Sequence, residues 1–260
     1  MPGVELAEID LEDVDRLRRL IADSGADRII HLAALSHVGA SWHRIGEYFR
    51  VNVLGTENLM SAAGELRVLL ASSAEVYGNV PESEQPIDES FPLMPASPYA
   101  MSKAAAERLA LEHGAVVVRM FNLVGPGQAP GFALPSFAAQ LASIAAGEQE
   151  AVIAVGNLEA RRDFTHVDDA VSGLDLLSRE GVRGEIYNLG SGEAISIRRA
   201  LEMLIEVSGV AALMEEDPER MRPVDLPLLQ ADAGRLEGLG WRRKLGVKQA
   251  LIDLWDTVRG

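Results

Sequence analysis

The amino-acid sequence predicts an α/β fold, a doubly wound parallel sheet with helices on both faces. Two observations support this prediction. Apolar runs of strand length at 27–34, 68–71 and 115–120 alternate with longer segments of helical periodicity, which is typical of repeated strand-helix-strand units. The length of 260 residues is enough for one large domain, or for a domain with a small lobe, around a sizeable core.

Composition narrows the classes of function. Hydrophobic residues make up 48% of the chain and charged residues 24%, as in globular proteins. A formal net charge of −15 disfavours binding to nucleic acid or to an anionic membrane surface. No apolar run reaches the ~18 residues of a membrane span. The absence of cysteine excludes disulfides, thiolate catalysis and Cys-based zinc sites. We therefore expect a cytoplasmic protein with no nucleic-acid or membrane partner.

The first third of the chain predicts strands and helices in alternation. Residues 4–9 have the composition of a short strand, a helix follows from about 10 to 24, and a longer helix is predicted over 42–63. Between the helices, the buried strand predicted at 27–34 ends in Ala33 and Ala34, where small residues let a flat ligand approach the backbone. Close packing of a helix on the sheet explains these alanines equally well.

The stretch that carries the chemistry is Ser97-Pro98-Tyr99-Ala100-Met101-Ser102-Lys103. A serine N-cap followed by proline predicts a helix start, so Tyr99 and Lys103 lie one turn apart on the same face. An ammonium group beside a phenol favours the phenolate, which predicts a lowered pKa for Tyr99. Ser73, just after the strand at 68–71, is the candidate for the group that holds the reacting oxygen. A tyrosine four residues before a lysine also occurs by chance, so the pair needs its context.

The remaining elements are a polar, proline-rich surface loop at 81–98, a buried strand at 115–120 and amphipathic helices at 170–178, 196–208 and 245–258. The run His166-Val167-Asp168-Asp169 contains the residue types of a metal site. No second histidine lies at ligand spacing, so a helix start and no metal are predicted there.

Three segments share a resemblance to one family: Ser72–Gly78, Pro95–Tyr99 and Lys103. They resemble the extended short-chain dehydrogenase/reductase family, in its nucleotide-sugar branch. The resemblance implies a Rossmann-like fold that binds NADP or NAD, with Ser73, Tyr99 and Lys103 as catalytic residues. The choice between NADP and NAD stays open, because the residue that reads the ribose 2′ position belongs to a strand with no counterpart here.

The same resemblance implies further contacts to the dinucleotide. Asp10 and Leu11 would contact the adenine, and Asn52, within Asn52-Val53-Leu54-Gly55-Thr56, would support the active-site strand. The residues implied at the cofactor are Asp10, Leu11, Leu32, Ala33, Ala34, Asn52, Tyr99 and Lys103.

One part of the family pattern has no counterpart. Members open with a strand, a glycine-rich turn and a helix that hold the pyrophosphate, whereas Gly190-Ser191-Gly192 comes late and lacks the third glycine. A wrong start, a fragment and a degenerate paralogue each explain this difference. We expect a sheet without its first βαβ portion and with an apolar strand edge exposed. The expected division is an incomplete dinucleotide-binding domain at 1–131 and 162–188, and a smaller substrate lobe, mainly 132–161 and 189–260.

A narrower resemblance comes from three blocks in order, 125–128, 134–140 and 155–165. They resemble GDP-4-dehydro-6-deoxy-D-mannose reductases, which implies reduction of the C4 ketone of a GDP-linked deoxyhexose to GDP-D-rhamnose. Arg162 and Arg222 would bind the diphosphate, with Asp225 near the ribose. A lone arginine in an acidic protein is more simply a surface ion pair. The residues implied at the nucleotide sugar are Ser73, Glu75, Asn122, Arg162, Arg222 and Asp225.

Two alternative functions remain, and one assembly is expected. A nucleotide-sugar 4,6-dehydratase or epimerase needs further groups after Ser73; Glu75 can be the base of a dehydratase, but Ala74 cannot be its acid. A truncated, non-catalytic chain that binds sugar nucleotides also fits the missing loop. Helices corresponding to 48–63 and 99–112 form a four-helix bundle between subunits in the family, so the resemblance implies a homodimer.

Overall fold

The computed structural model describes residues 4–221 and 225–259. Its strands are β1 (Arg28–His31), β2 (Arg67–Ser73), β3 (Val116–Met120), β4 (Asn122–Val124), β5 (Val152–Val155), β6 (Arg161–His166), β7 (Ile186–Leu189), β8 (Ala194–Ser196), β9 (Leu213–Glu216) and β10 (Leu228–Leu229). Its α-helices are α1 (Val14–Ser24), α2 (Val38–Ser41), α3 (Ile45–Phe49), α4 (Gly55–Ala63), α5 (Pro98–Glu112), α6 (Ala133–Ala145), α7 (Val167–Glu180), α8 (Ile197–Ser208), α9 (Gly234–Gly238) and α10 (Val247–Val258). A π-helical segment, Arg50–Leu54, joins α3 to α4.

The main sheet has the strand order β1-β2-β3-β7, and each neighbouring pair is parallel. Successive residues of β2 point to opposite faces: Leu69 packs with Leu177 of α7, whereas Leu70 packs with Met60 of α4. Both faces are therefore covered by helices, which explains why the strands are apolar runs rather than alternating ones. The predicted α/β fold with a parallel sheet is confirmed.

A second, smaller layer lies towards the C-terminus. Strands β10, β6 and β4 form one sheet with β8 antiparallel on β6, and β5 pairs with β9. The core beside them joins α6, α8 and α10 through side chains such as Leu141, Leu201 and Leu254. Leu236 and Trp241 instead pack with the main sheet. This part of the chain, predicted as mainly substrate lobe, is thus shared between two cores.

Two predictions near the N-terminus are wrong. Residues 4–9 form no strand, and they lie along the surface ahead of α1. The strand predicted as buried, β1, pairs only with β2 among the described residues, and its side chains are partly exposed, with Ile30 40% and the following Leu32 57% accessible. An apolar segment becomes a buried strand only where a neighbour supplies its hydrogen bonds and covers its faces. The expected apolar edge is present at β1.

The segment predicted as a surface loop at 81–98 is partly built into the protein. Ile87 is fully buried; its backbone N–H donates to the carbonyl of Gln230 and its carbonyl accepts from the N–H of Asp232, both at 2.8 Å. The Glu89 side chain is only 3% exposed. The prediction of a surface loop is wrong for this stretch, because contacts to residues far along the chain replace solvent.

Across residues 4–221 and 225–259, none of the helices combines the length and the apolarity that a membrane crossing requires.

Candidate active site

Helix α5 presents the predicted tyrosine and lysine on one buried face. The Ser97 hydroxyl accepts a hydrogen bond from the N–H of Ala100 at 3.1 Å, and Pro98 occupies the first helical position. Tyr99 and Lys103 follow one turn apart, 8% and 4% exposed. The predicted helix start is therefore confirmed, and both side chains face inward beside the carboxyl end of β2.

Ser73 is the last residue of β2, and its hydroxyl lies beside the phenol of Tyr99, whose pKa it acts to lower. The same hydroxyl accepts from the backbone N–H of Glu75 at 3.2 Å, which starts the short 3₁₀ segment Ala74–Tyr77. Parallel strands bring their carboxyl ends to a common edge, so Ser73 stands at that edge while Tyr99 approaches from the covering helix. The structure thus places two of the three predicted catalytic groups next to each other.

The electrostatics of Tyr99 differ from the expectation. Burial raises the pKa of the phenol to about 12; the hydrogen bond with Ser73 opposes the rise, and the charge of Glu75 adds to it. The predicted lowering by the neighbouring ammonium is wrong here: burial, which makes the phenolate costly, is the largest effect on the pKa, and the pKa rises. At neutral pH the phenol keeps its proton, and Tyr99 is suited to donate it.

Lys103 and His31 form the basic side of the site. Burial lowers the pKa of the Lys103 ammonium to about 8, and the charge of Glu107 opposes this lowering. His31, at the end of β1, meets the Thr56 hydroxyl through its Nε2 at 3.1 Å. Burial, and next the charge of Lys103, lower the pKa of His31 to about 4. The imidazole is therefore neutral at physiological pH, whereas Lys103 changes charge just above it.

Asn52 lies in the π-helical segment and fastens two other parts of the site. Its Oδ1 accepts from the N–H of Leu35 at 2.8 Å, and its Nδ2 donates to the carbonyl of Leu35 at 3.0 Å and to the hydroxyl of Ser102 at 2.9 Å. Asn52 therefore holds the chain after β1, which includes Leu32, Ala33 and Ala34, against α5. Widened helical turns of this kind are frequent at functional sites. A direct contact to a cofactor stays a prediction.

An open cleft of about 550 Å³ lies beside α1 and the π-helical segment. The backbone carbonyl of Leu11 accepts from Nδ2 of Asn58 at 2.9 Å, which fixes this segment on α4. A carboxylate next to an apolar wall in a cleft of this size fits the adenosine end of a dinucleotide. The cleft is lined by Glu8, Ile9, Asp10, Leu11, Glu12, Arg16, Arg50, Val51 and Gly55. The two residues predicted at the adenine, Asp10 and Leu11, thus both line this cleft.

The predicted substrate arginine is held by an acidic partner. Arg162, 5% exposed on β6, donates to Oδ1 of Asp225 and to the carbonyl of Leu226, both at 2.6 Å. Asn157 donates to the other carboxylate oxygen of Asp225 at 2.7 Å. Asn122 is exposed at the start of β4, opposite Phe164 of β6. Arg222 lies outside the described residues.

A shared core connects this pair with the catalytic strand. Leu226 packs in one cluster with Ala74, Val76 and Tyr77, the segment that follows Ser73. The segment that begins with Asp225 and Leu226 therefore packs against the segment that follows Ser73. Glu75 lies in the same segment, half-buried, where its charge acts on Tyr99.

Sequence reasoning missed several side chains that shape the site: Tyr48, whose ring touches that of Tyr99, His31, and the buried pair Glu107 and Arg119. The signal for Glu107 was available, because it follows Tyr99 and Lys103 at intervals of four on one helical face. His31 and Tyr48 carry no comparable pattern, since their partners lie far away in sequence.

The run at 166–169 is a helix start, as predicted. Nδ1 of His166 accepts from the N–H of Asp168 at 3.0 Å, and Nε2 meets a carboxylate oxygen of Asp253 on α10 at 2.9 Å. Both ring nitrogens are thus engaged in fixing α7 to its neighbours. Within residues 4–221 and 225–259 no group of three or more potential ligands is arranged to hold a metal ion.

Comparison with known sequences gives a consistent pattern. A profile of the family described as GDP-mannose 4,6 dehydratase matches residues 2–254. The GDP-6-deoxy-D-mannose reductase of Pseudomonas aeruginosa is 35% identical over 245 residues, which cover 89% of this chain and 81% of that protein. The human dTDP-D-glucose 4,6-dehydratase is 32% identical over 264 residues, 96% of this chain and 73% of that one.

Solved structures with a similar fold agree with the sequence comparison. RMD from Pseudomonas aeruginosa, complexed with NADPH, superposes with a TM-score of 0.91 at 33% identity, over 97% of this chain and 88% of that one. The UDP-glucose 4-epimerase of Thermus thermophilus, complexed with NAD, superposes with a TM-score of 0.90 at 29% identity, over 100% of this chain and 86% of that one. Proteins of similar fold therefore include some that hold a nicotinamide dinucleotide.

Proposed function

The chain belongs to the GDP-mannose 4,6-dehydratase family, and from this premise we propose that it is an NADPH- or NADH-dependent reductase of a GDP-4-dehydro-6-deoxyhexose. Its curated relatives carry out reductions, dehydrations and epimerisations of nucleotide sugars, so the family alone leaves the reaction open. Among these reactions we favour reduction, because the phenol of Tyr99 keeps its proton at neutral pH. The product of the proposed reaction is GDP-D-rhamnose.

The proposal is carried by the position of Tyr99, which lies buried on α5 beside Ser73 at the end of β2 and keeps its proton because burial raises the pKa of the phenol. Reduction of a ketone needs an acid that gives a proton to the carbonyl oxygen, whereas oxidation of a hydroxyl, the first step of a dehydratase or epimerase, needs a base. A phenol with a pKa of about 12 is ready as the acid. Ala74 supports the same choice, because it offers no acid for the loss of water.

Each residue of the site has its own role in the proposed reduction. Tyr99 donates its proton to the oxygen on C4, and the Ser73 hydroxyl hydrogen-bonds that oxygen and fixes its place. NADPH or NADH supplies, when bound, the hydride that C4 receives. The ammonium of Lys103 would hold the nicotinamide ribose, and the cleft at Asp10 and Leu11 would hold the adenosine.

The nucleotide sugar would lie between the main sheet and the smaller C-terminal layer. Arg162, already fixed by Asp225, would bind the diphosphate, and Asp225 would lie near the ribose. Asn122 and Glu75 would face the sugar. Arg222 is included as a second ligand of the diphosphate only because the sequence around it resembles the family.

The test begins with calorimetric titration of the 260-residue chain with GDP, NADPH and NADH. We expect GDP and one or both dinucleotides to bind. Purified chain is then mixed with GDP-4-dehydro-6-deoxy-D-mannose and the dinucleotide that binds, and cofactor oxidation is followed by absorbance. GDP-mannose is the control substrate, since a 4,6-dehydratase converts it with no net consumption of the dinucleotide.

Each outcome decides between named functions. Cofactor oxidation with the ketone, lost in Tyr99→Phe while GDP affinity is retained, supports the reductase. Conversion of GDP-mannose identifies a dehydratase instead. Binding of GDP without either dinucleotide identifies a non-catalytic chain that binds sugar nucleotides, and in each of these last two cases the proposal is wrong.

We also propose a cytoplasmic homodimer. Apolar side chains on α3 and α5 face solvent, with Ile45 50%, Phe49 38% and Met101 46% exposed. Helices α3 and α5 pack on each other, so pairing of two copies through these helices would bury the exposed groups in a bundle. Light scattering of the purified chain should give twice the monomer mass, and Met101→Glu should lower it.

A further inference from the structure

The carboxylate of Glu107 is buried beneath the candidate active site. It lies on α5 one turn beyond Lys103 and two turns beyond Tyr99, so the three side chains share one face, and its side chain is 2% exposed. A carboxylate in such a place is costly unless charged and polar partners satisfy its oxygens. The partners of Glu107 therefore show what keeps it there.

Two side chains satisfy this carboxylate. Arg119 on β3 donates from Nε to both oxygens, at 3.2 and 3.1 Å, and from Nη2 to Oε1. Ser72, the neighbour of Ser73 at the end of β2, donates its hydroxyl hydrogen to Oε2 at 2.9 Å. Glu107 thus ties the strand end that carries Ser73 to the helix that carries Tyr99.

Arg119 extends this network to the segment after Ser73. Its Nη1 donates to the hydroxyl of Tyr77 at 3.0 Å, and its guanidinium carbon lies 4.8 Å from the centroid of the Tyr77 ring. The Tyr77 hydroxyl donates in turn to Oδ1 of Asn188 on β7 at 2.7 Å. The members lie inside the protein and polarise one another, so the network holds Ser73 from both sides.

The charge of Glu107 acts on Lys103 as well. Burial lowers the pKa of the Lys103 ammonium, and Glu107 is the carboxylate that opposes this lowering. Two further ionisable groups lie close to Lys103: His31 on β1, which burial keeps neutral, and Tyr99 on α5, which burial keeps protonated. Beyond the phenol are Glu75, after β2, and Tyr48, on α3.

We propose that Glu107 is a positioning residue of this site, which keeps Lys103 charged and fixes the strand end of Ser73 against α5. The part that concerns catalysis rests on the reductase function proposed above. Glu107 touches no substrate in this proposal: its effect passes through Lys103 and through Ser72. The two routes can be separated, because one depends on charge and the other on a hydrogen bond.

The test is a lysine-selective NMR titration of the full chain, which contains only Lys103, Lys244 and Lys248. The signal lost in Lys103→Met identifies Lys103. In Glu107→Gln the amide oxygen can still accept from Nε and Nη2 of Arg119 and the amide nitrogen can donate to Ser72, so charge is removed while only the bond from Nε to the second oxygen is lost. We expect the midpoint of Lys103 to fall by about one pH unit or more, and Glu107→Asp to restore it.

Two control variants separate charge from contact. Glu112→Gln lies on the same helix, where the native carboxylate pairs with Arg108 at the surface, and it should leave the midpoint unchanged. Ser72→Ala keeps the carboxylate but removes its bond to the strand end. It should leave the midpoint unchanged while kcat falls about tenfold and KM for the nucleotide sugar stays constant.

The outcomes distinguish this inference from the proposed function. A midpoint that stays in place in folded Glu107→Gln overturns the inference whatever the chain catalyses. A midpoint that falls supports the electrostatic role even where the wild-type chain reduces no ketone, and the reductase proposal alone then fails. Should Glu107→Gln not fold, the double variant Glu107→Gln with Arg119→Met removes both buried charges and is judged by the same midpoint.

Discussion

The ring of Tyr48 meets the ring of Tyr99 edge to face, with centroids 6.4 Å apart and planes at 84°. The Tyr48 hydroxyl donates to the backbone carbonyl of His37 at 2.6 Å, and its side chain is almost fully buried. Tyr48 is therefore fixed at both ends, by packing and by its hydrogen bond. The orientation of the phenol towards Ser73 is set from α3 as well as from α5.

Replacement of Tyr48 by leucine removes this edge-to-face contact and leaves space beside Tyr99. We expect kcat for ketone reduction to fall by about tenfold to a hundredfold, because a small misplacement of the proton donor is costly. The free energy of unfolding, measured with urea, should drop by about 2–4 kcal/mol. Tyr48→Phe is the control: it keeps the ring and loses only the bond to His37, about 1 kcal/mol. Equal loss of kcat in both variants would contradict a role for the ring.

The start of α5 shows how far local sequence reaches. Ser97 and Pro98 define the helix start within a few residues, so the spacing of Tyr99 and Lys103 follows from the sequence alone. The pKa of Tyr99 does not follow, because it depends on how deeply the fold buries the phenol. Desolvation is a property of the assembled core and leaves no mark on a sequence motif.

Partners that are distant in sequence explain the other errors. The spacing of Glu107 and the predicted strand around Arg119 indicate that each is buried, but nothing in the sequence indicates that they pair with each other across α5 and β3. Glu89 lies in a polar, proline-rich stretch, and its carboxylate nevertheless accepts from the N–H of Asn188 at 2.6 Å. Residues 4–9 have strand composition without a neighbouring strand. In each case the missing information is a contact made in three dimensions.

The pH dependence of the proposed reduction should be set by Lys103. The pKa of its ammonium is about 8 and that of the Tyr99 phenol is about 12, so the lysine loses its proton first as the pH rises. We expect kcat/KM to fall above about pH 8 with the slope of a single proton. Lys103→Arg keeps a positive charge to far higher pH, so its slower reaction should lack this fall. A fall that persists in Lys103→Arg would assign the ionisation to another group.

Burial of Lys103 should also cost stability. The folded-state pKa of about 8 lies below the ordinary value of 10.5, so the unfolded chain binds more protons in this interval and stability rises with pH through it. The cost is complete below about pH 8. Lys103→Met should therefore stabilise the protein at pH 7 by up to about 3 kcal/mol. In urea titrations the gain should shrink as the pH approaches about 10.5. A gain that is independent of pH would show that packing, and not charge, is responsible.

Asp163 holds two chain segments, at 191–192 and at 231, onto β6 and offers the sharpest test of the substrate side. Its carboxylate is fully buried and accepts from the N–H and the hydroxyl of Ser191, at 2.7 and 2.6 Å, from the N–H of Gly192 at 2.8 Å and from the N–H of Ala231 at 3.1 Å. Its neighbour Arg162 is the proposed ligand of the diphosphate. The hydrogen bonds of Asp163 therefore affect both the stability of the fold and the position of Arg162.

Asp163→Asn places an amide NH₂ where two backbone N–H groups now donate to Oδ2. Donors then face donors, and we expect the free energy of unfolding to fall by about 2–4 kcal/mol, because buried N–H groups lose their acceptor. Affinity for GDP should weaken in the same variant, as Arg162 shifts with the strand. Ser191→Ala is the matched control: it removes one hydroxyl donor, leaves the carboxylate satisfied by its backbone partners and should cost about 1 kcal/mol. Equal losses in the free energy of unfolding would mean that the hydrogen bond from the Ser191 hydroxyl, rather than those from the backbone N–H groups, accounts for the stabilising effect of Asp163.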